Sequence, residues 1–355
     1  MNADIKSRLG IAIVGCGEQG QINARAAQAA REVTLVMVMD ASGTVAQACG
    51  ERLAVPATAR FEEVLANPKV DIIFINTPHH LHRELAVRAV GAGKHVIVEK
   101  PLATTLADAV EMVEAARLAK VRLSMWLGKR YSPAVAKAHR LVRQGLLGDR
   151  VLGASLVFHN HKTPAYWQGG FSGKSTDWRG RWADSGGGVF IMTGIHFLDW
   201  ITYLTGERIV ELSAKYATLA SPVEVEDTLT MWYRFERGGL GTANFSSCVR
   251  GGRSDILELR IYGTEGQVSL TDPPQFYSTR ILDDKPPERW HLLEAGPAPS
   301  SEQVQFLDGF GASIRQGTEF EISAREAVEL QALCETAYAS AREGRALPVQ
   351  YPVLA

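Results

Sequence analysis

Cysteine is scarce in this chain. Only Cys16, Cys49, Cys248 and Cys334 occur among its 355 residues, and no two of them form a Cys-x-x-Cys pair. This spacing argues against a disulfide framework and against a zinc site built from thiolates. A reducing compartment is therefore the simplest expectation.

The chain also lacks long hydrophobic runs and an excess of either charge. No apolar stretch approaches the roughly 18–20 residues that a membrane-spanning helix needs. The formal net charge of -1 gives no electrostatic footprint for nucleic acid or an anionic membrane. Because residues 1–10 are polar and unlike a secretory signal, we expect a cytoplasmic protein that binds neither nucleic acid nor membrane.

What the first third does contain is an alternation of short apolar runs with helical patterns. The runs are Leu9–Val14, Val33–Met39, Ile72–Ile75 and residues 96–98, and the helical patterns cover residues 18–30, 44–53, 81–90 and 106–119. Continuous apolar strands that alternate with helices are typical of a parallel sheet buried on both faces. We predict an α/β domain over residues 1–128.

The periodicity changes in the remainder of the chain. After a helical pattern at residues 132–144, the period falls near two in Thr228–Phe235 and in residues 241–248 and 257–262, which indicates antiparallel strands. Residues 306–315 and 324–342 again show a helical pattern. We predict an α+β domain over residues 129–355, with helices on one face of a mostly antiparallel open sheet and a C-terminal helix that packs toward the first domain. The other face of such a sheet predicts a homodimer or homotetramer.

A glycine-rich turn joins the first strand to the first helix. Gly15, Gly17 and Gly20 form the pattern Gly-x-Gly-x-x-Gly, and Asp40 follows the second strand twenty residues later. The glycines permit a tight turn, a close approach of the backbone to a pyrophosphate and close packing of helix on strand. This conjunction predicts a Rossmann domain that binds a dinucleotide, with Glu18 and Gln19 at the helix N-terminus where the phosphates lie.

Asp40 also bears on the choice of cofactor. A carboxylate at this position accepts hydrogen bonds from ribose hydroxyls and repels a 2′-phosphate. Residues 41–50 contain no Arg or Lys that would bind that phosphate. The sequence therefore favours NAD over NADP.

Several motifs in order resemble the Gfo/Idh/MocA family of NAD(P)-dependent sugar and polyol oxidoreductases. They are GCGEQG at 15–20, NTPHHLH at 76–82, EKP at 99–101, KRYSP at 129–133, GGGVFIMTGIHFLDW at 186–200 and YGTEG at 262–266. The resemblance implies that the cofactor groove is lined by Thr77, Pro78 and His79, with His82 nearby and with Glu99 and Lys100 beside the nicotinamide.

The same resemblance implies the catalytic residues and marks one departure. Lys100 and His196 match the family's characteristic lysine and histidine, and Asp199 matches an acidic residue three places after that histidine. Many relatives carry Asp or Asn four residues before the histidine, where this chain has Met192. Met192 together with Tyr166-Trp167-Gln168-Gly169-Gly170 and Asp177-Trp178-Arg179 resembles a sugar-active subgroup.

The residue types fit the oxidation of a secondary alcohol to a ketone. The cofactor takes the hydride, and the protein supplies a base for the hydroxyl proton. Lys100, if desolvated, serves as that base or, if charged, stabilises an alkoxide, and His196 shares or replaces either role. Aromatic rings cover the apolar faces of sugars while charged groups bond their hydroxyls. The predicted substrate residues are therefore Lys100, Trp167, Asp177, Trp178, Arg179 and His196, with Arg130 either touching substrate or bracing the cleft.

Other hypotheses remain open at this point. A metal could bind the clustered His79, His80 and His82 or the pair His159 and His161, but these clusters fall in different domains without an acidic pattern, so we expect no metal. A related enzyme could recycle its NAD while cleaving a glycosidic bond. A non-catalytic regulator that senses a nucleotide could share the fold, although retention of Lys100 and His196 argues against it.

Overall fold

The first half of the protein is a parallel sheet flanked by helices. The computed structural model describes residues 8–168, 176–251 and 256–354. Its first sheet has the strand order β3-β2-β1-β4-β5-β6 and is parallel throughout. Its strands are β1 (Leu9–Val14), β2 (Val33–Met39), β3 (Ala57–Thr58), β4 (Ile72–Ile75), β5 (His95–Val98) and β6 (Leu123–Met125). Its helices are α1 (Glu18–Ala29), α2 (Gly43–Leu53), α3 (Phe61–Ala66), α4 (His82–Gly91) and α5 (Leu106–Leu118).

Apolar strands and small helical residues account for this layer. All four residues of β4 are fully buried, as expected for a strand covered on both faces. Helix α1 turns its small residues Ala24 and Ala27 toward the sheet, and neither is exposed to solvent. The strand order reverses direction between β1 and β4, and ligands of such folds bind outside the carboxyl ends of the strands at this point.

The second half is built around a nine-stranded sheet. Its strand order is β14-β13-β12-β11-β7-β10-β9-β8-β15, antiparallel except for the pair β7 and β10. Its strands are β7 (Val151–His159), β8 (Ile209–Ala217), β9 (Thr228–Phe235), β10 (Leu240–Ser246), β11 (Ile256–Gly263), β12 (Gly266–Ser269), β13 (Gln275–Ser278), β14 (Arg289–Leu292) and β15 (Leu347–Pro348). Its helices are α6 (Pro133–Arg143), α7 (Pro164–Trp167), α8 (Trp182–Ser185), α9 (Ile195–Thr205), α10 (Glu302–Gln316) and α11 (Ala324–Glu343).

This sheet has one covered face and one open face. In β9 the buried residues Leu229, Met231 and Phe235 alternate with outward-facing ones, and helix α11 packs on the buried side next to β8. The outward-facing Trp232 keeps 41% of its surface exposed. The predicted fold class, a Rossmann domain followed by a mostly antiparallel sheet with helices on one face, is confirmed.

The two C-terminal helices contact the first sheet layer. The carboxylate of Asp308 in α10 accepts hydrogen bonds from the backbone N–H groups of Arg31 (2.6 Å) and Glu32 (3.0 Å). Glu335 in α11 accepts one from the N–H of Leu106 at 2.8 Å. The division at residues 128 and 129 stays a prediction. Among the described residues, no helix combines the length and the apolar character needed to cross a membrane.

Candidate active site

The glycine turn has a steric reason at two of its three positions and open space at the third. Gly15 has a φ of +94°, and a Cβ there would lie 2.6 Å from the carbonyl oxygen of Asn76. A Cβ on Gly20 would lie 1.8 Å from the carbonyl oxygen of Gly15, so only glycine lets α1 start this close to β1. A Cβ on Gly17 would meet no protein atom within 4 Å. The space beside Gly17 suits a pyrophosphate lying against the backbone.

Asp40 lies at the end of β2, in contact with this turn. Its carboxylate accepts hydrogen bonds from the N–H groups of Cys16 (3.0 Å) and Ser42 (2.9 Å), which fix it at the end of β2. The groove has a volume of about 570 Å³ and is also lined by Thr77 and Pro78. The buried hydroxyl oxygen of Thr77 has no hydrogen-bond partner within the described part of the chain. The glycine turn, the acid and this open hydroxyl fit a dinucleotide, whereas Glu18 and Gln19 are exposed at the start of α1.

Two buried histidines tie the edge of the groove to neighbouring segments, His79 to Ser185 and Trp178, and His82 to the loop after β5. His79 is 5% exposed, with Nδ1 lying 2.8 Å from the carbonyl oxygen of Ser185, and its ring meets that of Trp178 edge-on at 4.6 Å. In His82, Nδ1 lies 2.9 Å from the carbonyl oxygen of Pro101 and Nε2 lies 3.1 Å from that of Thr77. Burial lowers the pKa of His79 well below its usual range and that of His82 to about 4. Both rings are therefore neutral at physiological pH.

Lys100 follows β5 and reaches the second domain. Its Nζ donates a hydrogen bond to the carbonyl oxygen of Met192 at 2.6 Å. The preceding Glu99, 7% exposed, accepts hydrogen bonds from Asn23 Nδ2 (3.1 Å) and from the N–H of Lys100 (3.3 Å). Burial lowers the pKa of Lys100, Glu99 opposes this shift, and the positive charge of Arg179 adds to it. A lysine with a lowered pKa can exchange a proton with a substrate hydroxyl.

His196 and Met192 lie on one continuous helical segment. Residues Phe190–Gly194 form a π-helical turn that leads directly into α9, where His196 is in the first turn. The Nδ1 of His196 is buried and has no hydrogen-bond partner among residues that the structure describes. Burial, followed by the charges of Lys100 and Lys129, lowers the pKa of His196 well below its usual range. The neutral imidazole of His196 is therefore near enough to Lys100 for the lysine charge to lower its pKa.

Glu226 holds the start of this helical segment through hydrogen bonds, and the sequence analysis did not identify it as a site residue. Its fully buried carboxylate accepts hydrogen bonds from the N–H groups of Gly188 (2.7 Å) and Phe190 (3.0 Å) and from the hydroxyl of Tyr338 (2.9 Å). Burial raises the pKa of Glu226 to about 7, against the effect of these three donors. Because the donors come from distant parts of the chain, no local pattern around residue 226 reveals the role.

A cluster of aromatic rings and cations lies next to Met192. The hydroxyl of Tyr166 contacts Met192 Sδ at 3.6 Å, and the Lys162 ammonium lies 4.7 Å from the centre of the Tyr166 ring. The guanidinium of Arg179 stacks over the rings of Tyr166 (5.1 Å) and Trp178 (4.7 Å). The structure thus brings the predicted Trp178 and Arg179 to the side of Lys100. Tyr166 and Lys162 join them, although neither was among the predicted site residues.

Two other predicted substrate residues lie differently. Trp167 is 2% exposed, and its ring packs edge-on against Tyr166. The Asp177 side chain is 76% exposed and pairs with Arg181 at 3.7 Å. A role for either in binding a sugar stays a prediction. Gly169 and Gly170 of the aromatic motif lie outside the described residues.

Arg130 is engaged by acidic side chains. The guanidinium is 5% exposed and donates to both carboxylate oxygens of Asp199, the closest contact being 2.5 Å from Nη2 to Oδ1, and to Glu326 at 2.9 Å from Nη1. Asp199 is 1% exposed, so this ion pair is buried between α9 and α11. The sequence left Arg130 either contacting substrate or bracing the cleft, and this geometry favours the bracing role.

The histidine clusters do not assemble a metal site in the described parts of the chain. No group of three His, Cys, Asp or Glu side chains there has the arrangement that would hold an ion. His79 and His82 face backbone carbonyl oxygens, and His159 pairs with the side chain of Asn244.

Comparisons with known proteins agree with this geometry. Residues 9–126 match a family described as "Oxidoreductase family, NAD-binding Rossmann fold", and residues 135–269 match the "GFO/IDH/MocA C-terminal domain". The chain is 33% identical over 210 residues to a 1,5-anhydro-D-fructose reductase of Ensifer adhaerens, an alignment covering 58% of this chain and 59% of that relative. It thus spans less than two thirds of that relative's length.

Two further similarities extend over nearly the whole chain. A D-apiose dehydrogenase of Paraburkholderia graminis is 27% identical over 349 residues, which cover 96% of this chain and 89% of that relative. The solved structure of an aldose-aldose oxidoreductase from Caulobacter crescentus, complexed with glycerol, superimposes with a TM-score of 0.82 at 27% identity and covers 96% of this chain and 99% of its own. The chain belongs to the Gfo/Idh/MocA family of oxidoreductases.

Proposed function

We propose that this protein is an NAD-dependent dehydrogenase that interconverts a secondary hydroxyl and a ketone on a cyclic sugar, a sugar derivative or a polyol. The observation that carries the proposal is the position of Lys100. Its ammonium is held at 2.6 Å by the Met192 carbonyl of the second domain, and it is subject to the charge of Arg179, which is stacked on the groove-lining Trp178. The reductase and dehydrogenase relatives named above act, by their names, on sugars or close derivatives.

The reaction balances with one base and one hydride acceptor. The carbon of the alcohol gives up a hydride, which bound NAD accepts, and the oxygen gives up a proton. The lone pair of neutral Lys100 takes that proton, and the carbon–oxygen single bond becomes a double bond. In the reverse direction charged Lys100 returns the proton. In this proposal the ring of His196, whose buried Nδ1 has no hydrogen-bond partner among the described residues, orients the same hydroxyl.

Asp40 supports NAD rather than NADP as the cofactor. Its carboxylate is fixed by the N–H groups of Cys16 and Ser42 at the end of β2. A 2′-phosphate bound at this edge of the groove would lie against that negative charge. The other proposed cofactor contacts are Gly15, Gly17, Glu18, Gln19, Gly20, Thr77, Pro78, His79, His82 and Glu99.

The substrate is proposed to lie between Lys100 and the aromatic cluster. Trp178 and Arg179 contact it there, while Trp167 and Asp177 complete the site from the neighbouring segment. Arg130 acts on the substrate only indirectly, by holding Asp199 three residues after His196 in α9.

The first experiment is absorbance at 340 nm with purified protein, NAD and a panel of pyranoses, anhydrosugars, glycosides and inositols, with NADP in parallel. We expect a rise with one class of substrate and a loss of about 10²–10⁴-fold in kcat for Lys100→Met. Lys69→Met, a change at an exposed lysine outside the site, is the matched control.

A flat panel would contradict the dehydrogenase proposal and leave two alternatives to separate. An enzyme that recycles its cofactor while cleaving glycosides would release free sugar from a glycoside without net NADH. A non-catalytic sensor would bind NADH but convert none of the panel.

We further propose that the protein forms a homodimer or homotetramer through the open face of the nine-stranded sheet. That face exposes Trp232 (41%) and Leu240 (58%) on adjacent strands, and Trp290 (41%) and Leu292 (54%) on the edge strand β14. Burying such a surface between two copies would be favourable. Light scattering tests this, and a monomer at micromolar concentration would reject it.

A further inference from the structure

Three cationic side chains, Lys100, Arg179 and Lys162, lie near one another on the substrate side of the candidate active site. The charges of Arg179 and Lys162 both act on Lys100, in the direction that disfavours a third positive charge. Met192 contacts Lys100 and Tyr166 but contributes no charge of its own.

Three carboxylates near these cations have other partners. Glu99 is buried and accepts from Asn23 and from the N–H of Lys100. Asp199 is paired with Arg130 through two hydrogen bonds from Nε and one from Nη2. Asp184 pairs with Arg181, its Oδ2 lying 3.4 Å from Nε.

Arg179 is the cation best prepared to meet an anion. Its guanidinium is half-buried and is stacked on the rings of Tyr166 and Trp178, which restrict its orientation. Within the described ranges, no carboxylate forms an ion pair with it at 4.0 Å or less. The carboxylate of Glu18 acts on the ring of Tyr166 but makes no such pair with Arg179. The Arg179 side chain also hydrogen-bonds Tyr166, and its remaining donors can pair with a carboxylate or phosphate.

We propose that the substrate is an anionic sugar, whose carboxylate or phosphate group pairs with Arg179 while the hydroxyl to be oxidised meets Lys100. Tyr166 lies between the two cations, because its ring is under Arg179 and its hydroxyl is against Met192, whose carbonyl holds Lys100. The anionic group and the reacting hydroxyl therefore belong to different positions of one sugar ring. This inference rests on the proposed dehydrogenase function and adds the charge of its substrate.

The test compares sugars that differ in one group. D-Glucuronate, D-glucose 6-phosphate and D-glucose share their ring hydroxyls and differ at carbon 6, and D-galacturonate with D-galactose repeats the comparison for another configuration. With NAD and absorbance at 340 nm, we expect kcat/KM for an acidic sugar to exceed that of its neutral partner by about 10- to 100-fold, as for a charge-assisted hydrogen bond. A preference for the uronate over the phosphate, or the reverse, identifies the anionic group.

The second part of the test is the variant Arg179→Gln. We expect this variant to lower the ratio of kcat/KM for the acidic sugar over that for the neutral sugar about 10- to 100-fold. Arg181→Gln, which removes the neighbouring exposed arginine paired with Asp177 and Asp184, is the matched control and should change neither. Equal losses on both sugars, or a neutral sugar that is the better substrate, would overturn the proposal.

A binding measurement separates this inference from the proposed function. Titration of the NADH-loaded protein with D-glucuronate and D-glucose, followed by NADH fluorescence, reports binding without turnover. Tighter binding of the glucuronate that is lost in Arg179→Gln, together with a flat absorbance panel, would support the anionic site and refute the dehydrogenase. If neither sugar binds, or if Arg179→Gln weakens NADH itself, the anionic site is refuted whatever the panel shows.

Discussion

Replacing Arg130 should lower the free energy of unfolding of the protein while leaving substrate affinity largely unchanged. The guanidinium and the Asp199 carboxylate are 5% and 1% exposed and are joined by three hydrogen bonds. Arg130→Met keeps much of the side-chain volume but leaves Asp199 buried without its main partner. Breaking one side of a buried pair typically costs about 3–5 kcal/mol, and we expect a loss of that size in the free energy of unfolding.

The loss of stability in Arg130→Met should depend on pH, because it depends on whether the Asp199 carboxyl is ionised. Burial already raises the pKa of Asp199 against the effect of Arg130. In Arg130→Met the folded-state pKa rises further above the unfolded value, so the folded state favours protonated Asp199 more strongly. The variant should therefore be least impaired at low pH, and its deficit should grow as the pH rises through the folded-state pKa.

Urea unfolding followed by tryptophan fluorescence at pH 5 and pH 8 measures both effects. The double variant Arg130→Met with Asp199→Leu removes the buried charge as well and should recover to within about 1–2 kcal/mol of the parent protein. Glu326 remains a capping residue there, because its other carboxylate oxygen accepts from the N–H of Ser323 at 2.9 Å. An unchanged stability combined with a tenfold rise in KM for the sugar would refute the brace and place Arg130 on the substrate.

Three other predictions concern the two domains separately. Asp40→Ser should raise the ratio of kcat/KM for NADP over NAD by about 10- to 100-fold, because it removes the charge that repels a 2′-phosphate; an unchanged ratio in initial-rate assays would contradict this role. Burial raises the pKa of Glu226 to about 7 in the folded state, from a usual 4.5, so the folded state loses free energy of unfolding as the pH rises and the carboxyl ionises. Between pH 4.5 and pH values well above 7, the parent protein should lose about 3 kcal/mol of this free energy relative to Glu226→Gln. A difference independent of pH in urea unfolding would contradict this prediction. Gly188→Ala should lower the thermal midpoint sharply, because its Cβ would lie 1.8 Å from the carbonyl oxygen of Glu226, whereas Gly43→Ala, with 3.9 Å to the nearest atom, should not.

The sequence by itself determined the fold class and the dinucleotide groove. Apolar runs at Ile72–Ile75 and Val33–Met39, separated by helical patterns, leave a parallel sheet as the arrangement that buries both faces. The spacing of Gly15, Gly17 and Gly20 is similarly local, because a Cβ on Gly15 would meet the adjacent strand end and a Cβ on Gly20 would meet the turn itself, while Gly17 leaves the turn open to a ligand. Such features follow from short-range periodicity and sterics, which a sequence displays directly.

The tertiary structure alone decided how the candidate active site is assembled around Lys100. Met192 looks like the loss of an acid in the sequence, yet its backbone carbonyl is what holds the Lys100 ammonium. Glu226 shows no motif, and its role exists only because β9 is preceded by a residue that reaches the N–H groups of Gly188 and Phe190. The buried pairing of Arg130 and the stacking of Arg179 likewise join segments far apart in the chain. Contacts of this kind depend on how two independently patterned sheets dock, and no local spacing records that geometry.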